Sequence, residues 1–446
     1  MLRDALTRVA LAAALLLACA AGPSPAAQAA TRAPMYFDAG TAAVADGTRE
    51  ATLRRLDAIG VRALRVTLVW AAVAPDAGNT RRPAFDATDP TNYDWGAYGR
   101  LVDAAQARGW RVLVTFSAPA PRWASANADR VTRPNTVEFG AFATAAGRRF
   151  GAAVDAWGLW NEPNHPRFLR PQYVNGKPAA PALYRALHLA GVRGLEAAGQ
   201  AADTMLAGET APGGDRKRSV PPLQFLRGVL CNRCAKLRID GWAHHPYANR
   251  RGPFYVPADR DNVTIGVMKR LETALDRAGR RTLPVWVTEY GVQSSPDTLL
   301  GVPLAQQAEF RSISERLLRT DPRVAATAQY LLTDDTALSG FQSGLMTAGG
   351  KAKPSLDEFR LPLTVRRQGA TALLWGLVRP AGGATRVEVL VRDRGAARSA
   401  VSTTRPTDGA GTWTARLRWR AGRTWRVRWT AADGATYVGP PVRAYG

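Results

Sequence analysis

The run Ala156-Trp157-Gly158-Leu159-Trp160-Asn161-Glu162-Pro163-Asn164 starts as an apolar strand and ends abruptly on an amide, a carboxylic acid and a proline. Proline offers no N–H to a sheet ladder, so the strand must stop with the acid at its carboxyl end. The stretch Trp286-Val287-Thr288-Glu289-Tyr290-Gly291 repeats the arrangement. The two glutamates are 127 residues apart, which corresponds to three strand-helix units of about 42 residues. Working outward, short apolar runs at 35–37, 63–69, 111–116, 156–160, 204–207, 239–243, 284–288 and 325–331 read as eight strands. Amphipathic stretches at 48–59, 98–108, 137–150, 181–198, 263–278 and 304–320 read as helices, several closed by a glycine such as Gly60, Gly109 or Gly279. Eight such units predict an α/β fold of the (β/α)8 TIM-barrel type, with chemistry at the carboxyl ends of the strands. A doubly wound sheet is the alternative, but no glycine-rich phosphate loop opens a helix.

Two carboxylic acids at the ends of strands four and seven of a barrel face one mouth. Hydrolysis of a glycosidic bond with retention needs such a pair about 5 Å apart, one protonated toward the leaving oxygen and one ionised toward the anomeric carbon. Asn161-Glu162-Pro163 together with Thr288-Glu289-Tyr290-Gly291 resembles glycoside hydrolase clan A, cellulase-like or family 39-like, and the resemblance spans residues 34–360. It implies that Glu162 is the general acid/base and Glu289 the nucleophile. Arg65, in Leu64-Arg65-Val66, resembles the clan's strand-two arginine, which supports the nucleophile, and Trp70 follows that strand. Pro121-Arg122-Trp123-Ala124 resembles the Pro-x-Trp-Ala element of family 39, whose tryptophan lines the cleft. His245-Pro246-Tyr247 resembles the clan's His-x-Tyr, implying that His245 faces sugar hydroxyls and Tyr247 bonds the nucleophile. Asn161 would bond the 2-hydroxyl beside the reacting carbon, and Tyr290 adjoins the nucleophile. The pattern departs from the clan at strand eight, where Ala328-Gln329-Tyr330-Leu331-Leu332 carries no tryptophan; either Tyr330 or another aromatic faces the attacked sugar, or that subsite binds something unusual.

Residues 1–30 carry Arg3 and Arg8, the 13-residue small or apolar run at 9–21 and Ala27-Gln28-Ala29, the layout of a secretory signal peptide. Secretion is expected. In the alternative, Leu16-Leu17-Ala18-Cys19 is a lipobox and the protein is anchored to a membrane through Cys19. Cys231 and Cys234 are expected to pair as a short-loop disulfide, since two cysteines make only half of a zinc site. No metal and no cofactor is implied. The barrel is expected over 31–361, and after it helical periodicity gives way to alternating runs at 372–378, 387–391, 413–419 and 425–430, a small antiparallel β-sandwich over 362–446.

The net charge of +24 is carried mainly by arginine, and residues 362–446 alone hold 15 arginines, no lysine and four acids. With no nucleic-acid motif present, the charge suits an anionic envelope polymer rather than nucleic acid. The tryptophans of this region alternate with Leu, Val and Ala, which marks them as core. A monomer acting on a β-linked poly- or oligosaccharide is expected. The rivals are an exo-glycosidase or transglycosylase, and a non-catalytic carbohydrate-binding envelope protein on the same barrel.

Overall fold

The computed structural model of the chain describes residues 34–231 and 233–446; the expected signal peptide and Cys19 lie outside the described residues. Eight parallel strands close into a barrel: β1 Met35–Asp38, β2 Ala63–Val69, β3 Arg111–Ser117, β4 Ala156–Gly158, β5 Thr204–Thr210, β6 Gly241–His244, β7 Val285–Tyr290 and β8 Val324–Tyr330. Each pairs with its sequence neighbour, and β8 closes on β1 through Met35 with Thr327 and Asp38 with Tyr330. All eight expected strands are therefore present. Their apolar runs lie in register because each is buried on both faces: one set, including Tyr36, Leu113, Leu206 and Trp286, fills the barrel interior, while Phe37, Val66, Phe116 and Trp157 face the helices.

Three strands end two or more residues from expectation, β7 by running to Tyr290 rather than Thr288. Ladder pairing on β4 stops at Gly158, because the chain turns there and the Asn161 and Glu162 amides bond the carbonyls of Phe116 and Glu209 instead. Strand β5 runs past Ala207 to Thr210 through a bulge at Gly208 and Glu209, both at positive φ. The expected helices form as Asp46–Ala58, Gly96–Gln106, Thr136–Phe150, Ala180–Ala197, Met268–Arg277 and Leu304–Arg319. Gly60 and Gly109 end the first two at φ of 82° and 66°, a left-handed cap that a side chain would strain. Cys231 and Cys234 are joined as a disulfide. No helix among the described residues is long and apolar enough to cross a membrane.

The carboxyl-terminal region is two antiparallel sheets. Leu363–Gln368, Thr371–Leu377 and Thr412–Arg418 form one; Ala400–Pro406, Arg386–Arg392, Thr424–Thr430 and Thr436–Val438 form the other. Trp413, Trp425 and Trp429 are buried between them, as core tryptophans should be. The strand Ala400–Pro406 is missed by pattern because it is a largely exposed edge, with no apolar face to alternate.

The sheets are bonded to the barrel through buried charge. Arg379, fully buried, reaches the Glu315 carboxylate on helix Leu304–Arg319, donates 2.9 Å to the Phe359 carbonyl and lies 4.0 Å over the Phe359 ring. Arg311 bonds Glu315 at 2.8 Å and Glu358 at 2.9 Å. Burial disfavours the Glu315 anion, but Arg379, Arg311 and Arg319 outweigh it and hold its carboxyl far below the ordinary range. Removing one partner of such a cluster leaves a buried charge uncompensated. The substitution Arg379→Ala is expected to cost about 3–5 kcal/mol, read as a fall in the urea midpoint; a loss within experimental error would show that the cluster carries no stability.

Candidate active site

At the carboxyl end of the barrel, the first feature to assemble is a guanidinium. Arg65 points inward from β2 and its side chain is wholly buried. Its Nη1 donates to Asp38 of β1 at 2.8 Å and to Glu289 of β7 at 2.7 Å. Nη2 donates to Asn161, which follows β4, at 2.8 Å and to Glu209 of β5 at 3.4 Å, and Nε donates to Thr115 of β3 at 3.2 Å. A planar fork of five N–H donors is the one side chain able to serve that many strand ends.

The two sequence-identified glutamates lie on either side of His245, just beyond the end of β6. His245 Nδ1 is 3.0 Å from Glu162 Oε1 and 3.7 Å from Glu289 Oε2, while Nε2 is 3.0 Å from the Thr288 hydroxyl. The Tyr247 hydroxyl donates to Glu289 Oε2 at 2.8 Å. Oxygens of Glu162 and Glu289 and a nitrogen of His245 all lie within 4.8 Å of one another. Burial works against the Glu289 anion, but His245, Arg65 and the Tyr247 hydrogen bond outweigh it, so its carboxyl is held below the usual glutamate value. Burial likewise works against His245 imidazolium, and the Glu289 charge with the Glu162 hydrogen bond overcomes it, raising the ring's pKa. Burial raises the Asp38 carboxyl despite Arg65.

Three donors within 4.8 Å also meet the crude requirement for a cation. The surroundings argue against one: both His245 nitrogens already face oxygens, and the Arg65 charge sits 2.7 Å from Glu289. A cleft of about 680 Å³ opens over the pair, bounded among others by Asp38, Tyr98, Arg167, Phe168, Tyr330 and Phe341. Tyr330 packs edge-on against Phe341 at 5.0 Å, and Tyr247 lies 6.1 Å from the same ring.

Of the sequence-identified residues, Arg65, Asn161, Glu162, His245, Tyr247, Glu289 and Tyr330 converge here. Trp70 does not. It is fully buried and stacks on Phe142 at 5.4 Å, because it opens a short helix that turns it behind β2 rather than over the mouth. Trp123 packs edge-on against Trp70 and Phe85, donates its N–H to the Pro75 carbonyl and stays outside the cleft lining. Tyr290 is the residue after Glu289 on β7, so strand alternation turns it outward, where its hydroxyl accepts 3.3 Å from Arg311. The residues missed from sequence include Asp38, Thr115, Glu209, His165, Arg167 and Phe341. Asp38 and Glu209 carried a readable signal, an acid at a strand end; Phe341 sits in a loop and carried none.

No protein-family model matches the chain, and no curated protein matches it in sequence. Among solved structures, a family 39 glycoside hydrolase from Bacteroides cellulosilyticus WH2 superposes with a TM-score of 0.55 at 19% identity, over 87% of this chain and 80% of that one. A glucosidase from Croceicoccus marinus superposes with a TM-score of 0.56 at 14% identity, over 88% of this chain and 94% of that one.

The placement of the aromatics separates two kinds of variant. Trp70→Ala should cost about 3–5 kcal/mol of stability, measured by thermal melting, and leave the KM of the folded fraction unchanged. Tyr330→Ala should raise KM with little change in melting temperature. The opposite pattern would return Trp70 to the site. The chain has the barrel fold of these glycosidases, with an arginine-centred carboxylate site at its mouth.

Proposed function

We propose that this protein is a retaining glycoside hydrolase acting on β-linked poly- or oligosaccharide, with Glu162 as acid/base and Glu289 as nucleophile. The observation that carries the reading is the approach of the Glu162 and Glu289 oxygens to within 4.8 Å. Retaining enzymes hold their carboxyls about 5–5.5 Å apart, whereas inverting ones leave about 6.5–9.5 Å for a water.

In the first step a Glu289 oxygen attacks the anomeric carbon as the bond to the leaving oxygen breaks, and the Glu162 proton passes to that oxygen. A glycosyl ester on Glu289 results. Glu162, now ionised, takes a proton from water; the water oxygen bonds the anomeric carbon and Glu289 departs as carboxylate. Arg65 and Tyr247 favour the ionised nucleophile, which the first step requires. Asn161, fixed by Arg65, is available to the hydroxyl next to the reacting carbon. Tyr330 and Phe341 offer apolar surface where the strand-eight tryptophan of the clan is lacking. The fold shared with two glycosidases supports the same reading. Secretion toward an anionic envelope polymer, contacted by the arginine-rich region 362–446, accords with the net charge of +24.

A panel of aryl β-glycosides and β-linked polysaccharides tests the proposal. Glu289→Ala should lower kcat by at least about 10³-fold, and NMR should show the β-anomer formed first. Glu162→Ala with added azide should yield a β-glycosyl azide. Hydrolysis that survives Glu289→Ala, or an α-anomer formed first, would overturn it. The acid limb offers a second check: activity needs ionised Glu289, so it falls as pH drops through a pKa below glutamate's ordinary ~4.3. A limb above that value would contradict the site's electrostatics.

A further inference from the structure

Of the buried carboxylates on Arg65, the mechanism above leaves Asp38 and Glu209 unused, and Glu209 is the one bonded to the backbone of Glu162. Glu209 is 1% exposed and sits in the bulge that ends β5. One carboxylate oxygen accepts the Thr115 hydroxyl at 2.9 Å; the other lies 3.4 Å from Arg65 Nη2. Its backbone carbonyl accepts the N–H of Glu162 at 3.0 Å. Both residues hold left-handed backbone, at φ of 43° for Glu209 and 39° for Glu162, a region that costs non-glycine residues energy and persists where neighbours enforce it. Space has been kept for the side chain as well. A Cβ on Gly158 of β4 would come within 2.7 Å of the Thr115 hydroxyl and 2.8 Å of the Glu209 carboxylate.

We propose that Glu209 is a positioning residue that ties the two glutamates into one unit: its carbonyl fixes the backbone of Glu162, and its carboxylate seats Arg65 against Glu289 and Asn161. The inference rests on the retaining-hydrolase reading and deepens it. Glu209 is not part of the cleft lining. It acts through Arg65, whose remaining charge is shared between Asp38 and Glu289. Were the Glu209 charge absent, more of the guanidinium's field would fall on Glu289. The groups facing Glu289 are Arg65 of β2, Asp38 of β1, Glu162 after β4, His245 and Tyr247 after β6, and Tyr330 of β8. None of them would replace the lost negative charge behind Arg65. Glu289 would ionise more readily and attack less readily.

The test compares Glu209→Gln, Glu209→Asp and wild type on the aryl β-glycoside that wild type hydrolyses fastest, with Glu289→Ala alongside and melting temperatures measured for all. Glu209→Gln keeps the shape and still accepts from Thr115, but removes the charge. Its kcat should fall by about 10–100-fold with KM changed far less, and its acid limb should move to lower pH. Glu209→Asp keeps the charge and should hold the limb at its wild-type position. If Glu209→Gln has the kcat and acid limb of wild type, or if both variants lose activity equally with unshifted limbs, the inference is overturned and Glu209 is packing only. An active Glu289→Ala would instead overturn the hydrolase reading itself, so the two failures are distinguishable. Should Glu209→Gln fail to fold, Thr115→Val, which removes the hydroxyl that links the Glu209 carboxylate to Arg65 Nε, should show the same kcat loss without a KM change; an unchanged kcat there overturns the inference.

Discussion

One buried guanidinium organises the mouth of this barrel. Arg65 is the common hydrogen-bond donor to groups from β1, β3, β5 and β7 and from the turn after β4. A buried cation without partners would cost several kcal/mol, and so would each of the three carboxylates around it. Each is tolerated only because the others are there. The barrel closure that brings β1 beside β8 is what allows residues 27, 144 and 224 positions from Arg65 in sequence to share it. Stability and chemistry meet in this cluster: the contacts that make the charge tolerable are the same ones that keep Glu289 ionised.

The arrangement also gives the two glutamates different surroundings. Glu289 is fixed by Arg65 and Tyr247, two donors that favour its anion. Glu162 has no contact with Arg65; its carboxylate meets only the His245 ring, and it is the more exposed of the two. His245 stands between them, anchored at its far nitrogen by Thr288, the residue just before Glu289. Two carboxyls of one chemical type are thus differentiated by environment, as the proposed acid/base and nucleophilic roles require.

The barrel was legible because its signal is repetitive: eight apolar runs, spaced by amphipathic helices, survive an error of a residue or two at any end. Arg65, inside β2, was legible through the resemblance. Glu162, Glu289 and the His245-Pro246-Tyr247 segment were legible for a further reason, since each stands where an apolar strand ends. Glu209 shared that position and was overlooked because the strand was read as closing at Ala207. A bulge at Gly208 carries the chain two residues further, and a period-two reading has no means of registering it. Trp70 and Tyr290 were assigned to the cleft by their nearness to strand ends, and Trp123 by its likeness to the Pro-x-Trp-Ala element. Orientation decided against them: Trp70 is turned away by a helical turn that starts at its own backbone, and Tyr290 by the alternation of β7. Direction, unlike sequence position, is set by tertiary packing.

Tyr290 shows where the outward half of that alternation leads. Glu289 faces the mouth; its neighbour faces the opposite way, into Arg311, which bonds Glu315 and Glu358, and Glu315 in turn holds Arg379 from the sheets beyond the barrel. The strand of Glu289 is therefore held on both faces by arginine: Arg65 inside the barrel, Arg311 outside it. Successive residues of a strand face opposite sides, so a backbone twist that turned Glu289 from the mouth would also pull Tyr290 off Arg311, and the outer cluster restrains that twist. The carboxyl-terminal sheets bear on the active site through that restraint, without a residue of their own in the cleft lining.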